Sequence, residues 1–550
     1  MAVGTVRCEG RRARPLPALL IGLLLPWAPA LPAAAQSFGT GAGEAGPSSW
    51  MPAWSPFTLS ADLPRTLGPA PAIPSVLDPT PRLGLFWTRG NPGALPFEVA
   101  DAWTRFRGVT RNASGDYRRP LDAGTESAFT LSALGWRALD DQGAVIGRAV
   151  SEQRKLGEDP GISIRPYGSS PFTAVDTSGV ENRQLMARLE GAGGWRLGRF
   201  GVGVAGGIEA HDHQTRRSGK PRFGRATLPA AAAGLATPLG SGVRVGAYGR
   251  WSSFAETTQS AAVAEIGMIR DMRGLREPAP HLVTTANPYF LRIEHDHRAV
   301  GLGAAGLSRG TEWATFVERS RLRQESWNDR TEDSPPANVW RAESWTVGAS
   351  VQRPAAGLLW TADLRWTDLS GDATLAKAEA PDFVADEGAV SAALEGRTEP
   401  QGDRWGGAAR IFIEYQTRER VDLAAELREE VESLTWGVAG TLARRLGERT
   451  EISGGLTYAS YQTRGAIPRA PDEGPGFRQF VAPEISLRSS SATAWGALAE
   501  ARRELRDGFL LAAFARRDSL SPADEVRVLP LRPSGDRRAT QFGITATLLR

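Results

Sequence analysis

Long stretches of the chain alternate apolar and polar side chains with a period of two residues. Between 182 and 197 one parity holds Leu185 and Trp195, and the other holds Arg188 and Glu190. Successive side chains of a strand point to opposite faces, so this period predicts strands with one apolar and one polar face. The same pattern recurs at 200–213, 357–368, 408–418 and 450–464.

The length of these strands indicates which solvent covers the apolar face. They run to roughly 12–15 residues, whereas strands of a soluble sandwich average about 5–6. A strand of about 9–11 residues crosses a bilayer at a tilt. A large soluble β protein is the alternative, and the strand lengths disfavour it. Because hydrocarbon offers no partner to backbone amides, the strands must close. The sequence therefore predicts an all-β fold, a transmembrane antiparallel β-barrel.

Short and long connections alternate between the strands. Eight short turns are predicted near 140–143, 198–199, 238–241, 308–310, 354–356, 400–403, 446–448 and 506–508. Longer polar links are predicted at about 155–182, 257–289, 326–338, 371–387, 464–478 and 519–536. Outer-membrane barrels have short periplasmic turns and long extracellular loops, so the alternation predicts this class of barrel.

The connections also predict the number of strands. Such barrels usually have an even number, and we expect about 18, within a range of about 14 to 18. The first strand is expected near 97–110 and the last near 537–549, which places both termini in the periplasm. Two stretches are less regular: 418–430 leaves a small outside loop, and 479–490 is a candidate outward extension of a strand.

The amino terminus has the pattern of a secretory signal. Arginines precede the apolar run from Leu19 to Leu25, and Ala33-Ala34-Ala35 provides a cleavage site. We therefore expect residues 1–35 to be removed and the mature chain to begin at Gln36. Cys8, the one cysteine of the chain, lies inside this signal. We expect neither a disulfide nor a lipid anchor.

Charge and composition limit the partners. The net charge of the whole chain is +4, and most of it belongs to the signal, which holds four arginines against Glu9. The mature chain is nearly neutral, so a nucleic-acid partner is not expected. After the signal, no stretch approaches the roughly 18–20 apolar residues of a membrane helix. The expected partners are outer-membrane lipid and the barrel-insertion machinery.

Residues 36–96 differ from the rest of the chain. They contain eleven prolines and no clear alternation. Proline removes donors from a strand ladder, so this segment cannot form a wall strand. Two alternatives remain, a loose periplasmic arm and a plug folded into the lumen. The barrel itself is expected to occupy residues 97–550.

Two resemblances accompany this pattern. Residues 97–550 resemble the outer-membrane β-barrel proteins of Gram-negative bacteria, and the architecture is also similar to uncharacterised barrel families. Within 89–103, the segment Asn91-Pro92-Gly93-Ala94-Leu95 resembles the N-P-A segment near the start of FadL-type transporters. That resemblance implies a transporter of hydrophobic compounds with a lateral opening.

Histidines are the best candidates for metal ligands. Four of the five lie in two identical triplets. These are His211-Asp212-His213 and His295-Asp296-His297. Residues i and i+2 of a strand share a face, so each imidazole pair projects into the lumen, the first pair beside Glu209. Imidazoles with a nearby carboxylate suit zinc, copper or nickel. Two intervening strands separate the pairs by roughly 14 Å, which leaves two half-sites or a set of polar residues lining the mouth.

Enzymatic chemistry is not expected. Asp212 and Asp296 point to the face opposite their neighbouring histidines, so they cannot orient them as in an Asp–His catalytic pair. The sequence contains neither a G-x-S-x-G nor an H-E-x-x-H motif. We expect no cofactor.

Charged residues of both signs are predicted to face the lumen. The lumen-facing candidates are Arg188, Glu190, Arg196, Asp363, Arg365, Arg410 and Glu414. Rings of arginine would favour anions in a pore. The interleaved carboxylates favour the alternative, a polar lumen neutralised by ion pairs.

These features predict a monomeric outer-membrane barrel that acts as a channel or transporter for small solutes. Residues 257–289 or 36–96 are the expected constriction. The alternatives are a plugged, non-conducting barrel whose loops bind surface components, and a FadL-like transporter of hydrophobic ligands.

Overall fold

The computed structural model describes the barrel and the segments that pack against it. The described residues are 91–97, 102–116, 123–139, 142–161, 172–215, 222–240, 242–260, 267–273, 275, 278–284, 287–328, 334–375, 380–398, 405–466, 474–475, 477–483, 490–523 and 536–549. The predicted signal and most of the segment 36–96 lie outside these residues. No helix within the described ranges has the length and apolar character needed to cross a membrane.

The described chain forms one antiparallel sheet of twenty strands. They are β1 Trp103–Gly115, β2 Thr125–Ala138, β3 Gly143–Gly161, β4 Phe172–Leu197, β5 Phe200–Thr215, β6 Arg222–Gly240, β7 Val243–Ser260, β8 Gly267–Arg273, β9 Ala279–Val283, β10 Tyr289–Ser308, β11 Thr311–Trp327, β12 Asn338–Ala355, β13 Leu358–Thr374, β14 Phe383–Thr398, β15 Trp405–Asp422, β16 Leu427–Arg445, β17 Thr450–Ala466, β18 Ala492–Arg506, β19 Phe509–Pro522 and β20 Arg537–Leu549.

Eighteen of these strands close into a barrel, which confirms the predicted fold. β1 pairs with β20 over its whole length, from Trp103 opposite Leu549 to Gly115 opposite Arg537. β7 pairs directly with β10, so the hairpin of β8 and β9 is not part of the wall. Every wall strand therefore has two neighbours, and the sheet has no free edge in the membrane.

The short connections share one rim of the barrel, which we call the turn rim. Each of the eight predicted turns falls between two consecutive wall strands, and β1 begins and β20 ends at the same rim. The turn residues Arg309–Gly310 and Ala356–Gly357 all have positive φ. This is the two-residue hairpin whose twist matches that of the flanking strands. The opposite, loop rim carries the longer links, apart from the short link 423–426 between β15 and β16.

The strands are longer than the sequence pattern predicted. β4 has 26 residues and β10 has 20, and the additional length shortens the predicted link 155–182. β1 begins at Trp103 rather than near residue 97, because Pro92 and Pro96 lack the amide donors of a strand and Pro92–Phe97 forms a short 3-10 helix. The outward strand extension suggested for 479–490 is wrong for its described part: Phe477–Val481 forms a helical turn that buries both terminal side chains.

The outside of the wall carries an apolar belt. Large side chains that are more than half exposed on it include Phe106, Leu189, Ile208, Val300, Ile411, Leu456 and Ile544. A belt of this extent requires an apolar solvent. Tryptophans that are exposed outward on wall strands include Trp195, Trp251, Trp360, Trp436 and Trp495. The molecule is a transmembrane β-barrel of the outer-membrane type.

The two faces of the wall at β14 and β15 provide a test of this assignment. Ile411 lies in the middle of the outward face and is 59% exposed, so Ile411→Arg places a charge in hydrocarbon. We expect the free energy of unfolding to fall by about 2–4 kcal/mol, measured by denaturant titration in lipid bilayers. Ser391→Arg on β14 is the control, because this side chain faces the lumen opposite Glu414. Equal losses for the two variants would contradict the assignment of faces.

Candidate functional site

The lumen is the candidate functional site, and the wall parity defines its lining. On β5, Phe200, Val204 and Ile208 are exposed outward, so Glu209 and His213 face inward. The same alternation on the other wall strands turns all seven predicted polar candidates inward. Arg188, Glu190 and Arg196 lie on β4, Asp363 and Arg365 on β13, and Arg410 and Glu414 on β15.

The helix Pro92–Phe97 lies inside the lumen at the turn rim. Ala94 and Leu95 are fully buried. The Asn91 side chain donates to the Leu235 carbonyl at 2.9 Å and accepts from the Gly93 amide at 2.9 Å. These bonds fix the start of the helix against β6.

Glycines on three neighbouring strands make room for this helix. They are Gly194 on β4, Gly201 and Gly203 on β5, and Gly234 on β6. A Cβ at Gly194 would lie 2.7 Å from Pro96, and one at Gly203 would lie 2.8 Å from the Gly93 nitrogen. Both distances are too short for non-bonded atoms. The wall is therefore shaped at these positions for the helix, which we call the rim stopper.

Two arginines hold the end of the rim stopper. The guanidinium of Arg196 lies 4.9 Å from the centre of the Phe97 ring and donates to the Pro96 carbonyl at 3.0 Å. Arg244 lies 5.5 Å from the same ring. Arg196 was expected to line the lumen as a charge, and here it binds the stopper through a cation–π contact and a hydrogen bond.

At the loop rim, the hairpin of β8 and β9 crosses the mouth of the barrel. β8 pairs with the outer end of β4, from Phe172 opposite Arg273 to Asp176 opposite Ile269. Leu275, at the hairpin tip, donates its backbone amide to Asp422 of β15 at 3.1 Å. Around the closed wall, β4 and β15 are nine positions apart, half of the 18-strand circuit. We call this hairpin the mouth hairpin.

Apolar contacts bind the mouth hairpin to both sides of the lumen. Ile269 and Val283 pack in a buried cluster with Leu228, Phe254 and Leu291 on the inner face of β6, β7 and β10. Across the mouth, Leu275 belongs to a second buried cluster. Its other large members are Trp340, Leu369, Leu375, Phe383, Leu427, Phe477 and Val481. A second loop, through Phe477 and Val481, thus covers the same part of the mouth.

Water has unequal access to the two sides of the lumen. The inner face of β13 to β15 is accessible: Asp363 is exposed, and Arg365, Arg410 and Glu414 are half-buried. On the other side, the inner face of β5, β6, β7 and β10 is covered. On β10, for example, only 3% of Ala299 is exposed. The inner face of β13 to β15 is therefore a polar surface that water reaches.

Lumenal charges are organised in pairs. Glu190 lies 3.5 Å from Arg148. Glu209 pairs with Arg188 and, at 2.6 Å, with Nε2 of His211. The hydroxyl of Ser350 donates to Asp363. The carboxylates of the lining thus sit beside cations or hydrogen-bond donors, as the low polarity of a covered lumen wall requires for the buried Glu190 and Glu209.

Further pairs were not predicted from the sequence. Glu387 accepts from Arg418 at 2.9 Å and from Arg420 at 3.0 Å. Glu451 pairs with Arg445 and Arg502. Glu318 pairs with Tyr248 and Arg250. The partners of Glu387 lie on the neighbouring strand β15, and those of Glu318 lie on β7, with β10 between β7 and β11. The sequence could therefore identify them only once the register was known.

The histidine triplets lie on the covered side of the lumen. His213, His295 and His297 are buried, each less than one tenth exposed, and β6 and β7 separate the two triplets. Asp296 points outward, where it accepts from the indole of Trp251 at 2.9 Å. Among the described residues, no group of three or more His, Cys, Asp or Glu is placed to hold a metal ion. Metal half-sites completed by loop residues stay a prediction.

Comparison with known proteins finds only distant structural similarities. No family model matches the sequence, and no curated protein matches it. The chain is similar to the copper transporter OprC at 9% identity and a TM-score of 0.39, over 81% of this chain and 80% of that one. It is similar to the siderophore receptor PiuA from Acinetobacter baumannii at 10% identity and a TM-score of 0.37, over 81% of each chain.

A third similar structure is the outer membrane transporter YddB from Escherichia coli. It shares 7% identity and a TM-score of 0.36, over 82% of this chain and 80% of that one. Scores this low carry no argument about the solute. Because no family model matches, the resemblance of Asn91–Leu95 to FadL-type transporters stays a prediction.

The glycines that make room for the rim stopper allow a direct test of where it packs. Gly203→Val adds a side chain where Pro92 and Gly93 lie, so we expect the stopper to leave the wall. In an Ala94→Cys background, maleimide labelling of this fully buried position should accelerate at least about tenfold, a shift of about 1.4 kcal/mol in the opening equilibrium. Gly206→Val on the same strand is the control, because its Cβ would meet only the Ala230 carbonyl at 3.6 Å. Unchanged labelling in Gly203→Val would contradict the close packing of the rim stopper on Gly203.

Proposed function

We propose that this protein is an outer-membrane channel or transporter for small polar solutes. The observation that supports the proposal best is the polar, water-accessible inner face of β13 to β15, which includes Asp363 and Glu414. Barrels of 16–18 strands are wide enough for an aqueous passage. Solutes would move by diffusion along this face.

The proposed orientation places the turn rim in the periplasm and the loop rim outside. Short turns face the periplasm in outer-membrane barrels. Both ends of the barrel chain, Trp103 and Leu549, meet at the turn rim. The rim stopper then guards the periplasmic side, and the mouth hairpin guards the outside.

The proposed passage is gated at its outer end. The mouth hairpin obstructs the mouth and is held on the far side by the Leu275–Asp422 hydrogen bond and an apolar cluster. Solute entry requires this contact to open, while the wall, closed by continuous backbone pairing, stays fixed. The paired charges of the lining favour weak selectivity between anions and cations.

A plugged, non-conducting barrel is the second candidate. It is favoured by the segments that lie inside both rims, Pro92–Phe97 at the turn rim and the mouth hairpin at the loop rim. In that case the loops would be the functional surface and would bind other components of the cell surface. Both candidates are non-enzymatic.

Removing the mouth hairpin separates the two candidates. Ser260 pairs directly with Tyr289, so residues 263–286 can be replaced by Asn-Gly without stretching the wall. For a channel we expect single-channel conductance in planar bilayers to rise severalfold. Asp422→Ala, which removes the acceptor of the Leu275 amide, should increase the frequency of open events. Asp372→Ala, an exposed outward residue near the same rim, is the control. A folded deletion variant that does not conduct would support the plugged barrel and overturn the channel.

A further inference from the structure

The inward charges of the wall are unevenly distributed around the barrel. Phe106 on β1 is exposed outward, so the alternate positions of that strand face the lumen, and the register extends this parity to its neighbours. Four neighbouring strands, β20, β1, β2 and β3 as far as Leu156, turn six arginines and two carboxylates inward. The arginines are Arg105, Arg107, Arg111, Arg148, Arg154 and Arg537, and the carboxylates are Glu126 and Glu152. We call this part of the lining the basic face.

The opposite side of the lumen has the reverse balance of charge. On β11, β12, β13 and β14 the inward positions carry five carboxylates and two arginines. Each of these strands is nine positions from one strand of the basic face in the 18-strand circuit, so the two sets lie across the lumen from each other. The carboxylates are Glu312, Glu318, Asp363, Glu387 and Glu395, and the arginines are Arg365 and Arg397. We call this part of the lining the acidic face.

Ion pairs with neighbouring strands do not cancel this difference. Arg148 of the basic face lies 3.5 Å from Glu190 on β4, and Arg111 lies 3.9 Å from Glu126. When the next strand on each side is included, β19 and β4 add three inward arginines and two inward carboxylates to the basic face. β10 and β15 add the same numbers to the acidic face. The basic face therefore keeps an excess of arginine, and the acidic face keeps an excess of carboxylate.

Charges of the two faces lie at similar depth in the barrel. Arg107 is four residues from Trp103, where β1 begins at the turn rim, and Asp363 is five residues from Leu358, where β13 begins at the same rim. Water reaches both side chains, because Asp363 is exposed and Arg107 is half-buried. The guanidinium of Arg107 lies 4.7 Å from the centre of the Phe514 ring. Opposite net charges on facing sides of a lumen produce an electric field across it, and such potentials reach several kT.

We propose that the solutes of this channel are zwitterions with separated charges, such as amino acids and short peptides. The inference rests on the channel function proposed above. A zwitterion turns in the lumen so that its ammonium group faces Asp363 and its carboxylate faces Arg107. A neutral solute of the same size gains no such orientation energy, and a simple ion is attracted by one face and repelled by the other. The orientation energy grows with the distance between the two charges of the solute, so a peptide gains more than an amino acid.

Solute flux into liposomes that contain the full mature protein tests the proposal, with the flux into protein-free liposomes subtracted. The probes are zwitterionic triglycine and neutral N-acetyl-diglycine amide, which have nearly the same size and no net charge. We expect triglycine to enter at least about threefold faster, the ratio that corresponds to about one kT of orientation energy. Glycine and its neutral isomer glycolamide form a second pair. Their ratio should be smaller, because the charges of glycine are closer together.

Variants of either face should reduce this preference. Arg107→Gln with Arg111→Gln weakens the basic face, and Asp363→Asn with Glu395→Gln weakens the acidic face. Each double variant should bring the ratio of triglycine flux to neutral flux towards one. The control is Arg321→Gln with Asp372→Asn, which removes one charge of each sign from the outward surface and should leave the ratio unchanged. Heat-modifiable migration confirms that each variant is folded.

The outcomes separate this inference from the channel function on which it rests. Entry of triglycine and its neutral counterpart at equal rates would overturn the inference and leave the channel in place. The same holds if both face variants keep the full preference for triglycine. If none of the four probes enters, the channel is overturned and the inference with it.

Discussion

Closure of the backbone hydrogen-bond ladder is the constraint on which the rest of the structure depends. In hydrocarbon an unpaired amide has no alternative partner, so β1 must find β20 across more than four hundred residues of sequence, as Trp103 does opposite Leu549. Once the ring is closed, the parity of each strand is fixed. A shift of one residue would turn every apolar side chain of that strand from lipid into the lumen. The register is therefore set by the two solvents that the wall separates.

The backbone groups of the two segments inside the lumen also need hydrogen-bond partners, and the two segments obtain them in different ways. The mouth hairpin pairs its β8 edge with β4, so its backbone is satisfied as a strand ladder. The rim stopper has no strand partner, because Pro92 and Pro96 cannot donate. It relies instead on the Asn91 side chain and on the close approach that Gly203 and Gly234 allow.

The sequence predicts the wall well because the wall is governed by a local rule. A period of two, with turn residues between strands, predicts the strand faces, the eight tight turns and a total near 18. The interior depends on relations between distant segments. The rim stopper packs on the wall only because glycines align across β4, β5 and β6. The Leu275–Asp422 contact joins residues 147 positions apart. Neither relation leaves a periodic signal in the sequence. The partners of Glu318 and of Glu387 on other strands can likewise be identified only once the strand register is known.

Charge distribution on the two faces of the wall follows from their solvents. Inside, a covered lumen is a poor solvent for isolated ions, so Glu209 and Glu387 are each held by two cationic or hydrogen-bonding side chains. Outside, at the headgroup level, ions are hydrated and an unpaired cation costs little. An exposed outward cation such as Arg225 on β6 is therefore stable without an ion pair among the described residues.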